Sequence, residues 1–229
     1  MPKPKLFLSW SSGKDSAWAL HVLRARGEYE IKGLFTTFNE AFGRVAMHGV
    51  RRELAEAQAR AAGLPLSWIA LPHPCSNAQY EQIMGGFLQF ARGDGISHMA
   101  FGDLFLADIR AYREKQLAGT GITPLFPLWA ADTTALSREM IAAGLRAVLT
   151  TVDPKHLPSE FAGQTFDRSL LERLPTGVDP CGENGEFHTF CWAGPMFERP
   201  VGLRSGTIVE RDGFVFADFE LVEEAAACA

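Results

Sequence analysis

Short β-rich runs alternate with helix-period segments through the first two-thirds of the chain, and this alternation constrains the fold more than any other feature. Strands are predicted at 5–10, 31–38, 66–71, 97–102 and 145–152, and helices at 17–26, 50–61, 77–92, 107–118 and 133–143. The alternation is typical of a parallel sheet that is covered by helices on both faces. We therefore expect an α/β fold with a doubly wound, mostly parallel five-stranded sheet.

The rhythm changes after Asp153-Pro154, where a short helix at 169–173 and an irregular Gly- and Pro-rich stretch follow. Two strand patterns, at 206–211 and 214–221, then flank the dipeptide Asp212-Gly213. This dipeptide is a strong hairpin signal, because a type I′ turn requires positive φ at both central residues. We therefore expect an α/β domain at 1–153 and a small C-terminal α+β subregion with a β-hairpin at 154–229.

The composition excludes several classes of protein. The 229 residues are 47% hydrophobic and 21% charged, as in an ordinary globular domain. No apolar run approaches the roughly 20 residues of a membrane span, so we expect a cytoplasmic protein without a membrane partner. The four cysteines form no C-x-x-C pair, which argues against a local zinc knuckle or dithiol redox site. A net charge of -5 argues against broad nucleic-acid binding.

A loop of small and polar residues, Ser11-Ser12-Gly13-Lys14-Asp15-Ser16, joins the first predicted strand to the first predicted helix. Ligands of open α/β sheets bind at this end of a strand. Small residues let backbone N–H groups approach phosphate oxygens, and the N-terminal end of the following helix is positive. The lysine adds a charge, and the three serines add hydroxyl donors. The loop therefore predicts an anion site, since a serine-rich helix cap without a ligand would not explain Gly, Lys and Asp together.

A second polar cluster lies in the segment from Pro180 to Phe190, which reads P-C-G-E-N-G-E-F-H-T-F. Polar side chains would be costly to bury among these aromatic residues without a polar partner, so a cleft that binds a ligand explains them best. If 186–190 is extended, Glu186 and His188 share one face. The candidate substrate-binding side chains of this cluster are Glu183, Asn184, Glu186, His188 and Thr189.

The residue types of the second cluster leave several chemical interpretations open. The cluster can clamp an ammonium ion or amine, act as a general base, or place a Mg²⁺-bound carboxylate beside a nucleotide. A structural turn with solvated glutamates is the fourth possibility. A zinc hydrolase is disfavoured, because one His and two Glu at this spacing lack a second nitrogen or sulfur ligand.

The first loop differs from the G-x-x-x-x-G-K-[ST] loop of common nucleoside triphosphatases. It resembles instead the S-G-G-x-D-S signature of the pyrophosphate-loop ATPases, whose fold is adenine nucleotide alpha hydrolase-like. The resemblance implies that ATP binds with its phosphates on residues 11–16, and that it is cleaved to AMP and pyrophosphate. Ser12 departs from the signature, which has Gly there, and it would be strained if that position needs positive φ.

Taken together, S-x-G-K-D-S and C-G-E-N-G-E-F-H-T resemble one branch of that superfamily, the diphthine-ammonia ligase family. Gly102-Asp103, Pro127-Leu128-Trp129 and Gly163 are further matches, so the resemblance extends over nearly the whole chain. Members of the family with known activity amidate the carboxylate of diphthine on elongation factor 2 with ATP and ammonium, through an acyl-adenylate. The resemblance implies that residues 11–16 hold the phosphates, with Lys14 and Asp15 also catalytic. It further implies that Glu183, Glu186 and His188 hold the substrate or ammonia.

Other site residues follow from the predicted strand ends. Asp103 lies after a parallel strand, where it either assists Mg²⁺ together with Asp15, assists the adenylate, or is a plain turn residue. His48, in a Met-His-Gly turn, is either a substrate contact or a helix cap. The end of the second strand is expected to border the adenine through Thr36, Thr37 and Phe38.

We therefore predict an ATP-dependent ligase that adenylates a carboxylate and amidates it with ammonia. The carboxylate belongs either to modified elongation factor 2 or to a small molecule such as a corrinoid precursor. A non-catalytic adenine-nucleotide sensor is the alternative from another class. An RNA base-thiolating enzyme is disfavoured, because that chemistry relies on paired cysteines and RNA-binding surfaces. Aromatic residues of the predicted hairpin, if exposed, indicate a possible homodimer: Phe214, Phe216 and Phe219.

Overall fold

The computed structural model describes residues 2–41, 43–45 and 49–222. Within these residues the larger sheet, sheet A, has six strands: β1 (Lys5–Ser9), β2 (Glu30–Asn39), β3 (Arg44–Val45), β4 (Leu66–Leu71), β5 (His98–Ala100) and β6 (Thr123–Leu125). β1 pairs with β2 and β5, β4 extends the sheet beyond β2, and β6 extends it beyond β5, all in parallel. β3 pairs antiparallel with the end of β2. The predicted α/β fold with a mostly parallel sheet is confirmed.

Helices cover both faces of sheet A. Successive residues of β1 point to opposite faces, so Leu6 and Leu8 lie in one core with α1 and α2, and Phe7 lies in a second core with α3. In the described ranges, no helix is both long and apolar enough to cross a membrane. The helices are α1 (Lys14–Arg26), α2 (Arg52–Ala61), α3 (Asn77–Gly93), α4 (Ala107–Leu117), α5 (Thr133–Ala142) and α6 (Arg168–Arg173), with a short 3-10 helix at Ser159–Phe161.

The order of the strands creates a crevice at the carboxyl end of β1. β1 lies between β2, the next strand in the chain, and β5, which the chain reaches only after two further strands on the far side. The connections on the two sides of β1 therefore diverge, and a crevice opens where they separate. The loop after β1 and the loop after β5 border this crevice.

A second, antiparallel sheet, sheet B, contains β7 (Arg146–Val152), β8 (Phe187–Ala193), β9 (Leu203–Arg211) and β10 (Phe214–Leu221), in the order β8-β7-β10-β9. The prediction that 145–152 is the fifth strand of the parallel sheet is wrong, since β7 pairs with β8 and β10. Every residue of β7 after the first is buried, and such an apolar run has the same pattern as a strand of a parallel sheet. The fifth parallel strand is β6, whose three residues include Pro124 and are too few for a pattern.

The division of the chain into 1–153 and 154–229 stays a prediction, although β7, on the N-terminal side of that boundary, pairs within sheet B. The predicted hairpin is present, with Asp212 at φ 54 and Gly213 at φ 80 between β9 and β10. A dimer surface would require the aromatic residues of the hairpin to be exposed, and they are exposed to different degrees. Phe214 is 37% exposed, but Phe219 is only 5% exposed because it packs into the main core.

Sheet B is tied to sheet A by a group of charges around Asp218 on β10. The Asp218 carboxylate accepts hydrogen bonds from the guanidinium of Arg44 on β3, at 2.9 Å, and from that of Arg51, at 2.5 Å. Burial alone would raise the pKa of Asp218, but the two arginines outweigh burial and hold the pKa at about 2. These ion pairs therefore fix the hairpin against the segment that leads into α2.

Candidate active site

The loop at residues 11–16 has a strained backbone at the position where its sequence departs from the pyrophosphate-loop signature. Ser12 lies in the left-handed region at φ 70, which costs a residue with a side chain on the order of 1 kcal/mol. Its side chain is fully buried, and its hydroxyl has no hydrogen-bond partner among the described residues. The strain foreseen for a serine at this position is therefore present.

Gln58 on α2 holds the strained residue in place. Its amide nitrogen donates to the carbonyl oxygens of Ser12, at 2.9 Å, and Cys191, at 2.5 Å. Its amide oxygen accepts from the indole N–H of Trp10 at 2.9 Å, and the side chain is fully buried. The N–H of Cys191 also donates to Ser12, at 3.0 Å. Gln58 is not predicted from the sequence, where its one signal is a polar residue four positions after Leu54 on the apolar face of the helix.

Hydrogen bonds within the loop and from β8 order the rest of the predicted anion site. The hydroxyls of Ser11 and Ser16 are 3.1 Å apart, and the N–H of Gly13 donates to the Ser11 hydroxyl at 3.3 Å. The N–H of Lys14 donates to the hydroxyl of Thr189 on β8 at 3.1 Å. The second motif therefore contacts the first directly, through a side chain that was predicted to bind the substrate.

The Lys14 side chain is buried, with 1% of the residue exposed. Its ammonium donates to the Asp15 carboxylate at 2.8 Å and to the carbonyl oxygen of Cys181, and it lies over the rings of Phe166 and Phe187 at 5.5 and 5.6 Å. Burial alone would lower the pKa of Lys14, but the Asp15 carboxylate and its neighbours outweigh it and raise that pKa. The ammonium therefore stays charged at neutral pH.

The loop after β5 packs closely against the first motif. A Cβ on Gly102 would lie 3.0 Å from the backbone nitrogen of Ser16, so glycine is what allows this approach. Asp103 then enters the cavity, where its Oδ2 lies 3.8 Å from Nε of Arg113 on α4. Burial raises the pKa of Asp103, Arg113 opposes that shift, and the Asp15 carboxylate adds to it.

Glu183 of the second motif reaches across to the same loop. Its Oε1 accepts from the N–H of Leu104 at 2.7 Å, while its own N–H donates to the carboxylate of Asp179 at 2.9 Å. Burial raises the pKa of Glu183 to about 7, with the Asp15 carboxylate adding to the shift and the Leu104 N–H opposing it. Glu183 is therefore poised to gain or lose a proton near neutral pH.

Glu186 and Asn184 stabilise the turn of the second motif instead of lining the cavity. Glu186 is 3% exposed, and its Oε1 accepts from the N–H of Asp179 at 2.9 Å and from the side-chain amide of Asn184 at 3.1 Å. His188, by contrast, lines the cavity from β8. Burial, with the Lys14 charge, lowers the pKa of His188 to about 4, so its imidazole is neutral at pH 7.

These groups line one cavity of about 240 Å³ at the carboxyl end of β1. Of the predicted site residues, it is lined by Ser11, Lys14, Asp15, Ser16, Asp103, Glu183, His188 and Thr189. Arg113 also lines the cavity. The sequence does not predict this residue, because a helical arginine carries no signal of the direction in which its side chain points. A larger cavity of about 510 Å³ between α3 and α4 contains no residue of either motif, so the smaller one is the candidate site.

Several predicted contacts lie elsewhere. Thr36 is buried, at 4% exposure, and Phe38 packs edge-to-face on Trp68 with ring centroids 5.2 Å apart. Neither they nor Thr37 line the cavity, so an adenine contact at 36–38 stays a prediction. His48 lies outside the described residues. No group of three or more His, Cys, Asp or Glu side chains in the described part of the chain is arranged for a metal ion.

Two family models match this chain, one over the segment that contains the loop at 11–16 and one over the segment that contains Glu183. The model described as the diphthamide synthase N-terminal domain matches residues 5–118, and the model of the C-terminal domain of diphthamide synthase matches residues 132–219. A diphthine-ammonia ligase from Danio rerio is 35% identical over 128 residues, which are 52% of this chain and 48% of that protein.

Two further relatives carry the same name. The Homo sapiens protein is 33% identical over 118 residues, or 49% of this chain and 44% of its own length. The protein from Schizosaccharomyces pombe is 30% identical over 94 residues, or 39% of this chain and 16% of its own length. The chain therefore spans about half the length, or less, of the curated relatives it matches.

Proposed function

Because the chain belongs to the diphthamide synthase family, we propose that it is an ATP-dependent ligase that activates a carboxylate as an acyl-adenylate and amidates it with ammonia. The observation that carries this proposal is the shared cavity, in which the loop at 11–16 and the segment at 181–189 meet. A phosphate-binding loop alone would suit a nucleotide sensor. A titratable carboxylate held against that loop suits an enzyme that transfers a group.

The proposed reaction has two steps that balance without a further reactant. In the first, a carboxylate oxygen of the acid attacks the α-phosphorus of ATP, and the bond to pyrophosphate breaks. In the second, ammonia attacks the acyl carbon, the bond to AMP breaks, and one proton is released. Adenylation replaces a poor leaving group by AMP, and the cavity holds both reactants in reach of each other.

Residues of the first motif bind and orient the phosphates. The hydroxyls of Ser11 and Ser16 line the cavity and are donors to phosphate oxygens. The Lys14 ammonium is charged and buried, so it offsets phosphate charge in a region of low dielectric. The positive end of α1 adds to this effect.

Glu183 is the residue that we propose as the proton acceptor of the second step. Ammonium must lose a proton to become a nucleophile, and a base with a pKa of about 7 suits that transfer at neutral pH. His188 is a weaker candidate because its pKa of about 4 makes it a poor proton acceptor. Glu186 is assigned a positioning role, since it hydrogen-bonds the turn that carries Glu183.

Mg²⁺ fits the carboxylates of this cavity. Mg²⁺ is usually held by one or two carboxylates together with substrate phosphates and water. Asp15 and Asp103 both line the cavity, and the buried Oδ2 of Asp103 has no hydrogen-bond partner among the residues described. Mg²⁺ bound there would offset phosphate charge. We propose Asp15 and Asp103 as its protein ligands.

The substrate that we propose is the diphthine carboxylate of elongation factor 2, because the relatives are named diphthine-ammonia ligase. Amidation of another acid is the second possibility within the same chemistry. A cytoplasmic location and a homodimer stay predictions.

The test is to incubate the protein with ATP, Mg²⁺, ammonium and a panel of acids that includes diphthine-modified elongation factor 2, and to measure AMP, pyrophosphate and amide. We expect pyrophosphate release that requires one acid of the panel, and amide formation that also requires ammonium. Nucleotide binding without pyrophosphate release for any acid would favour the sensor instead.

A further inference from the structure

We propose that Arg113, on α4, binds the α-phosphate of ATP and of the acyl-adenylate. This inference rests on the proposed function and adds to it a residue that neither motif contains. The Arg113 guanidinium would face the α-phosphorus, where the first step takes place.

The Arg113 guanidinium has an N–H that no hydrogen bond among the described residues uses. In the described part of the chain, Nε of Arg113 is buried without a hydrogen-bond partner. Its distance of 3.8 Å to Oδ2 of Asp103 makes an ion pair but exceeds the range of a hydrogen bond. The guanidinium carbon lies over the ring of Phe101, 5.0 Å from its centroid, which is within the range of a cation–π contact. A guanidinium with an unused N–H is suited to phosphate oxygens.

The other cation of the cavity is already engaged. The ammonium of Lys14 donates to both carboxylate oxygens of Asp15, at 3.0 and 2.8 Å, and to the carbonyl oxygen of Cys181. An ammonium has three donors, so these contacts leave Lys14 little capacity for a further ligand without rearrangement. Lys14 thus acts on a phosphate through its charge, and Arg113 is the basic side chain among the described lining residues that has an N–H left to donate to an anion.

The location of Arg113 selects the α-phosphate. It faces Asp103, and the next residue, Leu104, donates its N–H to Glu183 of the acceptor motif at 2.7 Å. Arg113 thus lies on the side of the cavity where the acid and ammonia are proposed to bind. The acid attacks the α-phosphorus, so this phosphorus must be next to the acceptor side, with pyrophosphate towards residues 11–16.

Calorimetric titration of AMP, pyrophosphate and ATP in the presence of EDTA tests this assignment without a metal ion. We expect Arg113→Met to weaken AMP and ATP about 10- to 100-fold, as for lost hydrogen bonds to a charged group, and to leave pyrophosphate unchanged. Arg110→Met is the matched control. Arg110 lies on the same helix, but its guanidinium carbon lies 4.9 and 4.7 Å from the ring centroids of Phe126 and Trp129, and Arg110 does not line the cavity. We expect Arg110→Met to bind AMP, ATP and pyrophosphate as tightly as the unmodified protein does.

Arg113→Lys keeps the charge without the fork and serves if the methionine variant fails to fold. We expect it to weaken AMP about 10-fold and to leave pyrophosphate unchanged. Unchanged AMP affinity in a folded Arg113 variant would overturn the inference, and so would an equal loss for pyrophosphate and AMP. If the unmodified protein binds neither ATP nor AMP in EDTA, the titration is repeated with Mg²⁺, and absence of binding there too overturns the proposed function and this inference with it.

Discussion

Ser12 combines a left-handed backbone, at φ 70, with a buried hydroxyl that lacks a partner among the described residues. Ser12→Gly removes both costs, while Ser12→Ala removes only the hydroxyl. We therefore expect Ser12→Gly to be more stable than Ser12→Ala by about 1 kcal/mol, because only glycine adopts positive φ without strain. Urea unfolding with an unchanged m-value measures this difference. A glycine variant no more stable than the alanine variant would contradict the strain at this residue.

The titration of Glu183 sets the expected pH dependence of amide formation. Burial raises its pKa to about 7, and a base must be ionised, so we expect the rate to fall as the pH drops through about 7. Glu183→Gln should lose this acid limb and at least about 100-fold in the rate of amide formation. Glu186→Gln is the control: its pH profile should keep the acid limb. The same limb in both variants would remove Glu183 from the role of base.

At the scale of single residues, the sequence predicts the groups that belong to local motifs. Lys14, Glu183 and His188 were identified because their neighbours in the chain carry the signal. Gln58 and Arg113 were missed, since their roles depend on where a helix packs against a distant loop. A sequence pattern places such residues on a helix face but does not say which group they meet.

At the scale of elements, the ion pairs of Asp218 with Arg44 and Arg51 hold sheet B against sheet A, and their contribution to stability depends on pH. The arginines hold the Asp218 pKa at about 2, below its unfolded value of 3.8. The stabilisation is therefore complete above about pH 4 and is lost as the pH falls towards 2. We expect Asp218→Asn to lower the free energy of unfolding by roughly 2 kcal/mol at pH 7, with a difference from the unmodified protein that shrinks below pH 4.

Urea unfolding at a series of pH values measures the Asp218 effect. Asp212→Asn is the control in the same hairpin, because the Asp212 side chain is 87% exposed and exposed ion pairs contribute little. A constant difference between Asp218→Asn and the unmodified protein from pH 7 to pH 2 would show that packing, and not charge, accounts for the loss.

The elements also differ in how far the sequence determines them. The hairpin at Asp212-Gly213 follows from local backbone preference and is present as predicted. The pairing of β7 does not follow from local preference, because an apolar run fits the centre of either sheet. The strands beside β7, which are β8 and β10, also come from far along the chain. β6 was missed because three residues, one of them Pro124, give no period to detect.

At the scale of the whole molecule, the two matched family domains meet at one cavity. The loop at 11–16 lies within the N-terminal match and Glu183 within the C-terminal match, and the bond from Leu104 to Glu183 crosses between them. The proposed ligase therefore depends on both matched domains, since the C-terminal one carries Glu183 and, on β8 of sheet B, His188.

The exchange of labelled pyrophosphate into ATP, in the presence of the acid but without ammonium, tests the two-half-site ligase most directly. Exchange requires reversible adenylation and nothing beyond it. We predict that the unmodified protein exchanges label and that Lys14→Ala does not. We predict that Glu183→Gln exchanges label but forms amide at least about 100-fold more slowly when ammonium is added. Equal loss of exchange in both variants would contradict the division of the cavity into a phosphate half and an acceptor half.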